Sequence, residues 1–242
     1  MTSISIATTR PSLPALGAGL FAVVLIFMLS SAALQAAVAS TGHRFQLEDA
    51  ANLRADQAAL FIAFGTVIVR QLAMVMALAI IWTRAPASLL ATLSPKSWTR
   101  RDVGRGLLWA VAIYGVLAAY LALLQLAGLE ALLPQSTIGD EVTRSLPVLF
   151  LAGVSAVVVA RVTEEFIFRG FLFNGLVRFG LWPAAFVSGS LFAAPHFDAA
   201  SLVPFTLIGV VLAWLAHSSS GLRQPIVFHA AFNAASFVAL LL

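Results

Sequence analysis

A chain of 242 residues that is 61% hydrophobic and only 10% charged has too little polar surface to cover a water-soluble globule; soluble domains carry about 25% charged residues. The net charge of +4 forms no clustered basic face of the kind nucleic acid requires. The absence of cysteine excludes disulfides, a thiolate metal site and a cysteine nucleophile. Mean hydropathy is +0.98, and several apolar runs reach the roughly 20 residues that cross a hydrocarbon core as a helix. None alternates apolar and polar residues as barrel strands do. The expectation is an all-α, polytopic transmembrane helical bundle of about seven spans.

The first span is expected over 13–38, after Arg10. Ala37-Val38-Ala39 resembles a signal-cleavage site, but the apolar region exceeds the ~7–15 residues of a signal core, so an uncleaved helix is expected. A polar loop of mixed sign over 40–56 leads to a second span over 57–82. The next loop carries Arg84, Lys96, Arg100, Arg101 and Arg105 against Asp102 alone, which marks it as cytoplasmic. A third span follows over 106–129. The segment after it, with Glu130, Asp140 and Glu141 against Arg144, suits the outside. Residues 1–145 thus read as three N-terminal spans with a basic cytoplasmic loop and a cytoplasmic N-terminus.

A fourth span begins near Leu146 and is apolar to Ala160. It then reads Arg161-Val162-Thr163-Glu164-Glu165-Phe166-Ile167-Phe168-Arg169-Gly170 and turns apolar again to Phe179. Gly180 and Pro183 break it. A fifth span is expected over 183–196, a sixth over 202–216 and a seventh over 226–242, after a turn marked by Gly221, Arg223 and Pro225. Arg178, Arg223 and Trp182 read as cytoplasmic interface anchors. Arg70, mid-way along the second span, has no evident partner and reads as structural. His43 and His217 read as solvated, and Asn174 as bonding between helices.

Ionisable groups inside apolar helices cost a few kcal/mol each on insertion scales, so they mark the first place to look for chemistry. They concentrate in the second half: Glu164, Glu165, Arg169, His196 and His229, with Asn233 one turn after His229. Two adjacent carboxylates in a dry helix cannot both ionise cheaply without a cation. Arg169 lies four residues after Glu165 and Arg161 four before it, spacings that share a helix face. One Glu is then held ionised while the other faces a cavity, where it can take a proton from water and return it to a leaving amine. Neighbours on a helix point about 100° apart, so the two cannot do the same job. The plain alternative is an ion pair that only locks two helices. His229 and Asn233, at i and i+4, can offer two hydrogen bonds to one oxygen, as an oxyanion hole requires. Intramembrane histidines also serve simply to hydrogen-bond between helices. Asp198 is placed to orient His196.

Glu164-Glu165-x-x-x-Arg169, followed by Phe192-x-x-x-His196 and His229-x-x-x-Asn233, resembles the CPBP family, the CAAX-protease and bacteriocin-processing (Abi) intramembrane endopeptidases. Phe168-Arg169-Gly170 fits the same pattern, and the resemblance covers roughly 146–242 as a peptidase core. It implies that Glu164 activates the attacking water and His196 helps to hold it. It implies that His229 and Asn233 stabilise the oxyanion, and that Glu165 and Arg169 form a supporting ion pair. It implies a membrane-associated peptide or protein substrate; in prenyl-protein members the cut removes the three residues after a prenylated cysteine. The expected location is a bacterial plasma (inner) membrane.

No metal is favoured as a cofactor. A divalent ion such as zinc would take Glu164, His196 and His229, the open three-ligand count of catalytic zinc, but the His-Glu-x-x-His helix is missing. Two other functions compete with the peptidase. One is a catalytically inactive scaffold or bacteriocin-immunity or sorting factor on the same fold. The other is a small proton-coupled transporter using Glu164 and Glu165 as a relay, for which no inverted repeat is evident.

The spans also pose a problem of depth. A seventh span starting at Ile226 puts His229 about one turn inside the membrane edge, whereas His196 lies about 20 Å along the fifth. The peptidase reading requires that they converge.

Overall fold

The protein is described from a computed structural model covering residues 10–40, 57–82, 98–134, 142, 146–196 and 198–239. The polar loop after Ser40, with His43, lies outside these residues. So do Arg84, Lys96, Asp140, Glu141, Arg144 and the end of the seventh span.

Seven helices fill the described chain: α1 (Leu13–Ser40), α2 (Gln57–Ile81), α3 (Arg100–Leu126), α4 (Leu146–Phe179), α5 (Leu181–Ala193), α6 (Leu202–Ser219) and α7 (Arg223–Ala239). There is no strand among the described residues. Five of the helices, α1, α2, α3, α4 and α6, are long and apolar enough to cross a membrane. With 13 residues, α5 reaches only about 20 Å, so it ends within the thickness of the bundle. Outward faces carry Phe21, Met76, Ile80, Leu108, Val111 and Phe150, all largely exposed. Surfaces this apolar are solvated by lipid, and the chain is an integral membrane protein.

Local chemistry moves several expected boundaries. α3 starts at Arg100, not near Gly106, because Thr99 and Asp102 form a capping box: Thr99 Oγ1 accepts from Asp102 N–H at 3.1 Å, and Asp102 Oδ2 accepts from Thr99 N–H at 3.1 Å. Arg100, Arg101 and Arg105 therefore occupy the first turns of a helix. Gly106 serves packing instead: a Cβ there would stand 2.7 Å from Val227 Cβ of α7. Asp102 also accepts from Gln224 Nε2 at 3.2 Å and pairs with Arg223 at 3.6 Å. Farther along, Tyr114 Oη donates to the Phe232 carbonyl at 2.8 Å. α3 and α7 thus run parallel from a shared end.

At another close crossing, a Cβ on Gly209 of α6 would lie 2.5 Å from Gly189 Cα of α5. The large aromatics fill the spaces left by these approaches. Trp82, Phe166 and Phe171 pack with Leu16 and Leu78, while Phe192, Phe228 and Phe232 pack with Leu212 and Leu215.

Two features of α4 and α7 settle the problem of depth. α4 contains two π-helical stretches, Val154–Val159 and Glu165–Phe173, on either side of Ala160–Glu164. Leu222, just before α7, is 1% exposed, and its Cδ1 lies 3.3 Å from a Cβ built on Gly170. α7 therefore starts at Arg223 beside the last third of α4, and His229 reaches Glu165.

Candidate active site

Three helices bring the expected residues together: α4, α7 and α5, which supplies His196 just beyond its end. In α4 the two carboxylates divide sharply. The Glu165 side chain is 0% exposed and its Oε1 accepts from Arg169 Nη1 at 3.1 Å, while Arg169 is itself 0% exposed. Arg169 Nη2 donates to the Gly209 carbonyl at 3.1 Å, and the guanidinium lies 4.6 Å from the Phe192 ring centroid. That is a sealed, mutually neutralised pair. Glu164 keeps 16% of its side chain accessible. It pairs with Arg161 Nη1 at 2.9 Å and accepts from Gln71 Nε2 of α2 at 3.4 Å on Oε1. Its Oε2, the oxygen that pairs with Arg161, is buried and accepts no other hydrogen bond among the described residues. The pairing of Arg161 is thus with Glu164, three residues on, and not with Glu165 as the i,i+4 spacing suggested.

His229 of α7 is buried against this pair. Its Nδ1 lies 2.7 Å from Glu165 Oε1, its Nε2 lies 2.5 Å from Arg161 Nη1, and Nε2 is 3.9 Å from Glu164 Oε2. A nitrogen that close to a cationic N–H presents its lone pair, so Nδ1 carries the proton and donates it to Glu165. Asn233, one turn on, faces the same guanidinium. Its Nδ2 donates to the Ala156 carbonyl at 3.4 Å; with the amide turned over, its oxygen lies 3.2, 3.2 and 3.3 Å from Arg161 Nε, Nη1 and Nη2, over the face of the guanidinium. Arg161 Nε also donates to the Ala156 carbonyl, in the first π stretch, at 2.7 Å.

His196 closes the remaining side. It ends the short 3₁₀ turn after α5, with Nδ1 3.2 Å from the Ala193 carbonyl. That contact leaves Nε2 as an acceptor. Phe192 lies between the two histidines, its ring centroid 5.7 Å from that of His196 and 5.3 Å from that of His229. No hydrogen bond or ion pair joins His196 to Glu164 among the described residues. Asp198 does not orient His196. It accepts from Ala200 N–H at 3.0 Å and from the Ser201 hydroxyl, holding the turn into α6. Arg70 sits apart, over the Phe27 ring at 4.6 Å.

As a metal site the set fits poorly. Both nitrogens of His229 are engaged, a guanidinium occupies the space between His229 and Glu164, and the described residues contain no group of three potential ligands. No step below runs through a metal.

Two carboxylates and two guanidiniums balance in charge, and of the two pairs only Glu164–Arg161 keeps accessible surface. Residues 145–235 match the family described as Type II CAAX prenyl endopeptidase Rce1-like. Over this segment the chain is similar to that family. Comparison with curated proteins and with solved structures found no match. The matched segment begins at the start of α4 and extends into α7, so it contains all six residues expected from the sequence, and the match supports a CAAX-type intramembrane protease. α1 to α3 lie outside it, although α2 contributes Gln71, which donates to Glu164 and accepts from Thr163 Oγ1 at 2.9 Å. Sequence reading passed over Gln71 because a lone amide in an apolar span carries no motif. It gave Arg161 only a neighbour's role, because helix spacing shows i,i+4 partners but not what α7 brings across.

Proposed function

We propose that this protein is an intramembrane endopeptidase in which Glu164 is the general base. The observation that carries this reading is the contrast between the two carboxylates. Glu165 is fully buried and bonded to both Arg169 and His229, while the Glu164 side chain keeps 16% of its surface accessible. Water held between Glu164 and His196 gives its proton to Glu164 as its oxygen attacks the peptide carbonyl. The carbonyl π electrons move to oxygen, on the side lined by His229 and Asn233. The C–N bond then breaks, and Glu164 returns the proton to the leaving amine. Glu165 and Arg169 support the site by fixing His229. The reading is metal-independent.

The substrate class is a membrane-associated peptide or protein. Arg178, at the end of α4, donates to the Pro11 carbonyl, so the start of α1 lies at the same end of the bundle as the end of α4. Arg100, Arg101, Arg105 and Arg223 mark the shared starting end of α3 and α7. Basic residues gathered so favour a cytoplasmic N-terminus in a bacterial inner membrane. The test compares peptide termini in cells carrying the native chain and cells carrying Glu164→Gln. Termini made only by the native chain support the reading and identify substrates. Identical termini in both would point to a scaffold instead.

A further inference from the structure

We propose that Gln71 of α2 is a positioning residue for Glu164, and that its amide, backed by the Thr163 hydroxyl, holds the carboxyl group both before and after it takes up a proton. The inference rests on Glu164 being the base. It places part of the site outside residues 145–235, the segment that matches the family.

The first argument is which oxygen does the work. Glu164 Oε2 pairs with Arg161 at 2.9 Å and is buried. The part of the side chain that stays accessible lies elsewhere, so water meets the carboxylate at Oε1. That is the atom Gln71 Nε2 reaches from α2, at 3.4 Å. Each oxygen thus has its own holder, a cation of the same helix for Oε2 and an amide of another helix for Oε1. The last torsion of a glutamate is broad and soft, and here it is limited from both sides.

The second argument is that Gln71 is itself fixed. It is 8% exposed, and Thr163 is 7% exposed. An amide in an apolar span bonds across helices, and both ends of this one go to consecutive residues of α4. Nε2 donates to Glu164, and Oε1 accepts from Thr163 Oγ1 at 2.9 Å.

The third argument is a count of protons at Thr163. Its hydroxyl has one proton and three oxygens around it: Gln71 Oε1 at 2.9 Å, the Val159 carbonyl at 2.8 Å and the Ala160 carbonyl at 3.1 Å. Two arrangements satisfy the group. In one, the hydroxyl donates to Gln71 Oε1 and the amide donates to the Glu164 carboxylate. In the other, the amide is turned over about its last torsion, with its heavy atoms in the same places. The hydroxyl then donates to the Val159 carbonyl and accepts from Gln71 Nε2. The amide oxygen now faces Glu164 Oε1, a contact that attracts only when Glu164 carries a proton there. The first arrangement fits the carboxylate that draws a proton from water. The second fits the carboxylic acid that passes this proton to the leaving amine. The proton moves from water oxygen to Oε1 and on to the amine nitrogen, while Gln71 and Thr163 only turn.

The test uses the full-length protein in detergent with a quenched fluorescent peptide carrying a prenylated cysteine four residues from its C-terminus. Gln71→Leu is expected to lower kcat by about 10- to 10²-fold, the scale of a misplaced catalytic group, with KM within about threefold. It strands no buried group, since Thr163 keeps two backbone carbonyls and Glu164 keeps Arg161. Its melting temperature is therefore expected to stay near native. Thr163→Val removes the hydroxyl at nearly constant shape and is expected to lower kcat, whereas Thr163→Ser restores the hydroxyl and the rate. The double change Gln71→Leu with Thr163→Val is expected to be no worse than Gln71→Leu by more than about twofold, since Thr163 acts through the amide. In the Glu164→Gln background, Gln71→Leu is expected to leave the residual rate unchanged. A native kcat for Gln71→Leu while Glu164→Gln is inactive would overturn the inference and leave the Glu164 reading intact. Fully multiplicative losses in the double variant would do the same. An active Glu164→Gln overturns both. If Gln71→Leu does not fold, the Thr163 variants decide: equal loss in Val and Ser, or none in Val, rejects the role of the hydroxyl-backed amide.

Discussion

His229 Nδ1 and Glu165 Oε1 meet at 2.7 Å, and this bond ties α7 to the middle of α4. Glu165 thereby has two partners, His229 and Arg169, with no access to water. Removing its carboxylate strands the Arg169 cation in an apolar interior, and breaking a buried pair in this way costs about 3–5 kcal/mol. Glu165→Leu is expected to lower the detergent melting temperature sharply and to reduce yield. The double change Glu165→Leu with Arg169→Met, which removes both charges, is expected to regain part of that loss. Equal melting temperatures for native and Glu165→Leu protein would show that the pair is not structural.

The neighbouring carboxylate gives the opposite signature. Glu164→Gln removes the charge of an ion pair whose side chains are 11% and 16% exposed but keeps the residue's shape and an acceptor oxygen, so its melting temperature is expected to fall less than that of Glu165→Leu. Peptide cleavage is expected to fall by about 10²- to 10⁴-fold, the range for loss of a general base. Two residues adjacent in sequence therefore separate stability from activity, measured on one preparation by thermal unfolding and by the same quenched-peptide assay.

Gly189 and Gly209 let α5 and α6 touch backbone to backbone, and Gly209 also lends its carbonyl to Arg169. A methyl at Gly209 would sit 2.5 Å from Gly189 Cα and has no flexible side chain to displace. Gly209→Ala is expected to destabilise by about 1–3 kcal/mol, the cost of overpacking. It also pushes α5 away from the bundle, carrying His196 with it, so activity is expected to fall beyond what the loss of folded protein explains. Gly104→Ala, where a Cβ meets nothing within 4 Å, is the control.

These residues show what a sequence of this kind reveals. The membrane class was legible from composition alone, and Glu164, Glu165, Arg169, His229 and Asn233 stood out because charge and amide are costly in apolar helices. Their spacing along one helix was legible as well, since i,i+4 geometry fixes the Glu165–Arg169 pair. Partners from other helices were not. Gln71 of α2 reaches Glu164, and His229 and Asn233 gather around Arg161, only because of how α2, α4 and α7 pack. The depth of His229 misled for a physical reason. A turn of small and polar residues normally marks the membrane edge, but Leu222 after it is buried against Gly170, so α7 starts alongside the last third of α4. The π stretches of α4 leave no trace in residue type.

Asp102 joins the starts of α3 and α7 by capping one helix and binding Arg223 and Gln224 of the other. Asp102→Ala is expected to cost about 1–2 kcal/mol, through loss of its half of the capping box and of its bond to Gln224. Arg223→Ala removes only a partly exposed ion pair and is expected to cost less than about 1 kcal/mol. The order of the two melting temperatures checks the assignment, since a dominant ion pair would make the two variants equal.

Orientation can be read directly because the chain contains no cysteine, so any single introduced cysteine reports alone. Arg101 begins α3, Arg178 ends α4, and Glu130 follows the far end of α3. Arg101→Cys and Arg178→Cys are expected to react from the same side of the membrane, and Glu130→Cys from the other. With basic residues held in the cytoplasm, a membrane-impermeant maleimide added to intact cells is expected to label Glu130→Cys and to spare the other two until the cells are opened. Labelling of Arg101→Cys and Arg178→Cys from opposite sides would break the placement of the start of α3 and the end of α4 at one end of the bundle. Reversed labelling of all three would keep the bundle but turn it over, placing the start of α7 and the end of α4 outside the cell.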